Sequence, residues 1–201
     1  MPSIRLIVGL GNPGAEYVGT RHNAGADFVE TLALRHNISL APEKKVAGRL
    51  GRGLIFGHDV RLLTPDSYMN NSGRCVALAS RYFDIEPATL LIAHDELDIL
   101  PGSARFKDGG GHGGHNGLRD IIPALGTTGF WRLRIGIGHP GSANLVSRWV
   151  LSKAGKSEQT FIDESIDNAL AAMKLLLDGD SVKAMTQLHS SDRTQAPADG
   201  L

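Results

Sequence analysis

Hydrophobic residues in this chain fall into short unbroken runs, each ending in a polar stretch rich in glycine or asparagine. Residues 6–10 (LIVGL) form the first such run and predict a buried strand. From Ala24 to Arg35 the spacing becomes helical and turns Phe28, Leu32 and Leu34 toward a core. Strands are expected at 48–56 and 60–63, joined by a turn at Gly57-His58-Asp59. Asn71 or Ser72 can cap a helix running to Phe83. A strand at 90–93, a short one at 104–107, a helix at 118–125 and a strand at 131–138 follow. The last third is helical, with Phe161, Ile162, Ile166, Leu170, Met173 and Leu177 marking an amphipathic stripe and Ser157 as its cap. Strands alternating with helices predict an α/β fold: a mixed sheet flanked by helices, with right-handed crossovers between parallel strands.

Length and composition narrow this reading. The chain has 201 residues, 41% of them apolar, and no composition shift divides it, so one domain over 1–190 with a frayed tail at 191–201 is expected. A domain of this size buries about 70% of its unfolded surface, enough to fold without metal or disulfide staples. Basic and acidic side chains balance at 21 each, so a polyanion would have to be held by a local cluster rather than by net charge. The single cysteine, Cys75, cannot form an internal disulfide and sits among Leu78, Ala79 and Tyr82 at helical spacing, which reads as a buried thiol. The first strand begins too early for a leader segment, and no apolar run approaches a membrane span, so a cytoplasmic protein is expected.

The chemistry gathers in four polar patches where apolar runs end: Gly11-Asn12-Pro13-Gly14 with Arg21-His22-Asn23, then Tyr68 to Gly73, then His94 to Asp98, then residues 109–118 (GGGHGGHNGL). Strand ends are where α/β proteins bind ligands, so one site assembled from distant segments is implied. The run from Gly9 to Gly14 matches G-x-G-x-x-G, but Pro13 and the stretch 15–23 delay the helix that a dinucleotide's pyrophosphate needs. We read it as a loop presenting Asn12. His22 and Asp95 suit a general base and its orienting carboxylate, with Glu96 and Asp98 as competing acids. A metal reading of His94, Asp95, Glu96, His112 and His115 ranks second, because the two later histidines lie in a glycine-rich loop better suited to offering backbone N–H groups to an anion. Strand alternation puts Arg105 with Lys107, and Arg132 with Arg134, on single faces; if those strands are neighbours, the cations converge into a phosphate-sized patch. Lys44, Lys45, Arg49 and Arg52 form a weaker second cluster.

Taken together, IVGLGNPGAEYVGTRHNAG, PDSYMNNSG, HDELD, GGGHGGHNGL and FWRLRIGIGHP resemble bacterial-type peptidyl-tRNA hydrolases, over nearly the whole chain up to about His189. The resemblance implies a single domain with a twisted mixed sheet, active as a monomer without cofactor or metal. It implies cleavage of the ester joining a peptide to the terminal ribose of tRNA. By the same resemblance His22 matches the general base, Asp95 its partner and Asn12 the asparagine that discriminates N-blocked substrates. Asn70 and Asn116 match amides that hold substrate and water, Tyr17 and Tyr68 aromatic wall positions, and Lys107 with Arg134 a clamp on the tRNA 5′-phosphate. Thr64, Ser67 and Arg105 depart from the usual residues, which bears on tRNA affinity alone.

Overall fold

The computed structural model describes residues 3–190; the expected tail at 191–201 lies outside them. Seven strands form one mixed sheet in the order β2-β3-β4-β1-β5-β7-β6. They are β1 (Leu6–Gly9), β2 (Ala41–Glu43), β3 (Gly48–Ile55), β4 (His58–Pro65), β5 (Leu90–Glu96), β6 (Ala104–Asp108) and β7 (Trp131–Gly136). The central four are parallel, while β2, β3 and β6 run antiparallel to their neighbours. Parallel strands buried on both faces need continuous apolar runs, and β1 and most of β5 are such runs. One face of the sheet carries α1 (Ala24–Arg35), α5 (Lys156–Leu177) and α6 (Ser181–Ser190); the other carries α2 (Ser72–Tyr82) and α3 (Asn116–Leu125). The short helix α4 (Val146–Val150) packs Val150, with Val146 and Trp149, against the core on the α1, α5 and α6 face. Among the described residues, no helix is long and apolar enough to cross a membrane.

Several expectations need correcting. Leu34 is 79% exposed, because two residues beyond buried Leu32 is about 200° around a helix. The β3–β4 turn is two residues, Phe56 and Gly57, both at positive φ, with Ile55 paired to His58. His58 and Asp59 therefore belong to the strand, and the local geometry is that of a primed hairpin turn. Neither Asn71 nor Ser72 caps α2 with its side chain. Asp120 on α3 accepts the Gly73 N–H at 2.7 Å and serves that end from across the helix pair. Gly155, not Ser157, precedes α5, and Phe161 is only half-buried. Strand β5 runs three residues further than its apolar stretch, carrying His94, Asp95 and Glu96 into the ladder beside β7.

Two backbone contacts set up the site. Gly25, in the first turn of α1, lies so close to β5 that a Cβ there would overlap the Ala93 carbonyl oxygen. A Cβ on Gly9 would likewise overlap the Gly25 carbonyl. Leu10 N–H donates to Ala93 O at 3.0 Å and Ala26 N–H to Leu10 O at 2.9 Å, so β1, β5 and the start of α1 meet backbone to backbone. Chain order leaves β1 toward β4 and leaves β5 toward β7 and β6. The carboxyl ends of β1 and β5 thus flank the switch point of the sheet, where an open α/β sheet forms its crevice.

Candidate active site

That crevice is a cleft of about 590 Å³. His22 sits in a single 3-10 turn, Arg21–Asn23, between the loop after β1 and the start of α1. Its Nδ1 lies 2.9 and 3.0 Å from the two carboxylate oxygens of Asp95, at the end of β5. A second imidazole completes the arrangement: His115 Nε2 stands 2.9 Å from the same Asp95 Oδ1. His115 is also the N-cap of α3, its Nδ1 accepting the backbone N–H groups of Gly117 (3.1 Å) and Leu118 (3.4 Å). An Nδ1 that accepts has no proton, so His115 carries its hydrogen on Nε2 and donates to Asp95. Asp95 accepts from His22 Nδ1 in the same way, leaving His22 Nε2 as the basic nitrogen of a ring that lines the cleft.

The electrostatics follow from this network. Burial alone would raise the Asp95 pKa, but the two imidazoles outweigh it and hold the carboxyl well below the usual carboxylate range. For His22, burial lowers the pKa and Asp95 more than offsets it, so the ring stands above its ordinary value of 6.5. His94, stacked edge-on against His115 at 4.9 Å, is buried and pushed down to about 3 by burial and by neighbouring His115 and Arg132. It stays neutral, with Nδ1 donating to the Asp95 carbonyl at 2.7 Å.

The asparagines are also fixed in orientation. Asn12 Oδ1 accepts the Met69 N–H at 2.7 Å, while Asn23 grips the Asn12 backbone at both its N–H (2.8 Å) and its carbonyl (3.0 Å). Asn116 Oδ1 accepts from Arg119 at 3.0 Å. With both amide oxygens engaged, the NH2 groups of Asn12 and Asn116 remain as donors in the cleft they line. Asn70 lines it too, and Tyr17 and Tyr68 form an edge-to-face pair with centroids 6.1 Å apart.

The remaining sequence candidates separate. His22, Asp95 and His115 offer ligand atoms all within 4.8 Å of one another, the one three-residue metal-type cluster among the described residues. His94 and His112 are not part of it, because one ring is buried behind His115 and the other is exposed on the loop. A metal bound there would have to displace the two N–H protons that Asp95 now accepts. Strands β6 and β7 do pair, with Arg105 opposite Arg134 and Lys107 opposite Arg132. The four cations nevertheless do not form an open patch. Arg132 is 2% exposed and donates to the carbonyls of Gly109 and Gly110, anchoring the glycine-rich loop; Arg134 donates to Glu96 at 2.9 Å; Lys107 is exposed. In the weaker cluster, Arg49 pairs with Glu30 and Arg52 with Asp59. Burial pushes the Cys75 thiol up to about 12, far from a nucleophile's range.

Sequence reasoning misses three contributors. His115 stands out as polar, but its two-sided role needs the α3 N-terminus placed beside Asp95. Asn23 gives no signal beyond its place next to His22. The wall formed by Leu97, Val146, Val150 and Leu151 comes largely from α4, a helix too short for periodicity to detect.

Comparison with known proteins points in one direction. The family model described as peptidyl-tRNA hydrolase matches residues 6–196. A peptidyl-tRNA hydrolase of Aeromonas hydrophila is 57% identical over 188 residues, spanning 93% of this chain and 95% of that protein. One from Acinetobacter baylyi is 57% identical over 190 residues, covering 94% and 98% respectively. The crystal structure of peptidyl-tRNA hydrolase from Acinetobacter baumannii superposes with a TM-score of 0.92 at 56% identity, over 94% of this chain and 96% of that one.

Proposed function

This chain belongs to the peptidyl-tRNA hydrolase family and hydrolyses peptidyl-tRNA, and we propose that it does so by direct water attack with His22 as general base. The observation that carries this reading is the buried Asp95–His22 pair in a cleft also lined by Asn12, Asn70 and Asn116. Asp95 fixes the tautomer, so Nε2 of neutral His22 takes a proton from water as its oxygen bonds to the ester carbonyl carbon. Negative charge moves onto the carbonyl oxygen, where NH2 groups of Asn12, Asn70 or Asn116 can donate to it. Collapse breaks the bond to the ribose oxygen, which takes the proton back from His22 and leaves as free tRNA. An ester has a good enough leaving group that no acyl-enzyme is needed, and the cleft lining contains no activated serine or cysteine.

His115 acts in this scheme as a positioning residue, its Nε2–H steadying the carboxylate while its Nδ1 ties it to α3. Asn12 supports discrimination in favour of N-blocked substrates, since its NH2 can bond a peptide carbonyl that a free aminoacyl ester lacks. Tyr17 and Tyr68 supply the aromatic wall. Lys107 and Arg134 hold the tRNA 5′-phosphate, with Arg134 exchanging its bond to Glu96 for the phosphate. In this reading the enzyme works as a monomer in the cytoplasm, where ribosomes make its substrate.

The test is release of N-acetyl-amino acid from charged tRNA, in the presence of chelator. Wild-type protein should turn over, and His22→Ala should lower kcat by roughly 10²–10⁴-fold while tRNA binding persists. Equal turnover by the variant removes His22 from the role. Activity lost on chelation and restored by added metal would favour the His22, Asp95 and His115 cluster as a metal centre instead.

A further inference from the structure

The cleft is lined by two unlike sets of residues. His22, Asp95, His115 and the asparagines are polar, and the proposed mechanism uses all of them. Leu97, in the β5–β6 connection, with Val146, Val150 and Leu151, is apolar, and the mechanism uses none of these. Positions 146 and 150 share a helix face by their spacing, so α4 brings two valines to the cleft beside the hydroxyl of Ser147. Leu151 is 43% exposed, an apolar side chain left in water beside a site that must bind substrate.

This wall is not a loose flap. Arg21, immediately before His22, is 5% exposed and donates to the carbonyls of Trp149, Ser152 and Lys153 at 3.2–3.3 Å and to Ser152 Oγ at 2.7 Å. Its guanidinium lies 3.5 Å from the centre of the Trp149 ring and grips Glu158 through both carboxylate oxygens, at 2.8 and 2.7 Å. Thr20 adds a backbone bridge to Lys153. The apolar wall and the base are therefore fastened to the same few residues.

We infer that Leu97, Val146, Val150 and Leu151 form the pocket for the side chain of the amino acid esterified to tRNA, and that they select large apolar side chains over glycine and acidic ones. The inference rests on the hydrolytic reading above and deepens it. On that reading the other groups around the ester already have polar partners: the water and the leaving ribose oxygen at His22, the carbonyl oxygen and the neighbouring peptide amide at the asparagines. The side chain on the adjacent carbon is the group that gains from hydrocarbon contact. An acidic side chain there would also meet the carboxylates of Asp95 and Glu96, which line the same cleft.

One tRNA, acylated in turn with N-acetyl-glycine, -leucine, -phenylalanine and -aspartate, tests this with the full chain. Values of kcat/KM are divided by each ester's own alkaline hydrolysis rate. Leucine and phenylalanine should exceed glycine by roughly tenfold or more, with aspartate lowest. Equal corrected values overturn the pocket. Leu151→Asp and Val146→Thr should each shrink the leucine-to-glycine ratio at least threefold; an unchanged ratio, with all esters slowed alike, means the wall is structural and overturns the inference. No turnover of any ester by wild-type protein removes the hydrolytic reading and the pocket with it, a result distinct from turnover at equal rates, which removes the pocket alone.

Discussion

Asp95 faces His22 through both of its carboxylate oxygens and His115 through one, so a single buried acid orients two imidazoles, one 73 and one 20 positions away in sequence. An ionised carboxylate between two N–H donors is well satisfied without water, which is how a charge persists at 3% exposure. The two shifts run in opposite directions: the His22 imidazole is raised above 6.5, and the Asp95 carboxyl is held down in its charged form.

The pH dependence has a definite sign. A base must be neutral to accept a proton, and His22 stands above 6.5, so kcat/KM should fall as pH drops through one ionisation above that value. Asp95→Asn removes the attraction that raises the imidazole but keeps the burial that lowers it. The acid limb should move to lower pH, and the plateau should drop roughly 10²–10⁴-fold. pH–rate profiles of both proteins decide this; a limb that stays in place assigns the titration to another group.

His115→Ala and His115→Asn should differ. Alanine loses both the bond to Asp95 and the cap on α3, costing about 1 kcal/mol of stability in addition to turnover. Asparagine restores a cap acceptor but is too short to reach Asp95. Thermal melts should then show stability recovered in the asparagine variant while kcat stays low. Full recovery of both would make His115 a capping residue only.

Binding of tRNA should report on Arg134 through its partner. Lys107→Ala combined with Arg134→Ala should weaken binding and flatten the plot of log K against log salt by about one unit for each phosphate no longer neutralised. Glu96→Gln frees Arg134 from its 2.9 Å bond and should tighten binding. Salt titrations of the three proteins test both, and identical slopes would remove the clamp.

Asp27, in the first turn of α1, offers a stability test away from the chemistry. Burial, with Asp163 and Glu30 nearby, pushes its carboxyl up to about 6. The folded protein keeps a proton there that the unfolded chain releases near 3.8, so this group favours folding at low pH and loses that contribution as pH rises through about 6. Asp27→Asn should be neutral at pH 4 and stabilising by on the order of 1–3 kcal/mol at pH 8. Urea denaturation at the two pH values gives the comparison, and an equal effect at both refutes the shift.

The bounds of helix α1 are legible because a polar stretch marks its start, although Leu34 turns outward. Strand β5 reads short: periodicity stops at Ala93, whereas the ladder with β7 continues through His94, Asp95 and Glu96, polar residues held in strand by tertiary pairing. The short edge strand β2 escapes notice because Pro42 and Glu43 are poor strand formers. Caps are the least legible feature. A side chain capping its own helix is a local signal, but Asp120 serves α2 from α3, and His115 caps with an imidazole rather than a hydroxyl or carboxylate. For the site, motif identity singles out His22, Asp95 and Asn12 as candidates, and the fold gathers all three in one cleft. What sequence does not supply is commitment: that Arg132 and Arg134 already have acceptors, and that Asn23 and Arg21 hold the loop and wall around the base.

The meeting of β1, β5 and α1 at Gly9 and Gly25 gives this site an unusual kind of dependence. The span from imidazole to carboxylate is set where three stretches of main chain touch with nothing between them. Its accuracy thus comes from two hydrogens standing where any other amino acid would put carbon, at positions that perform no chemistry themselves.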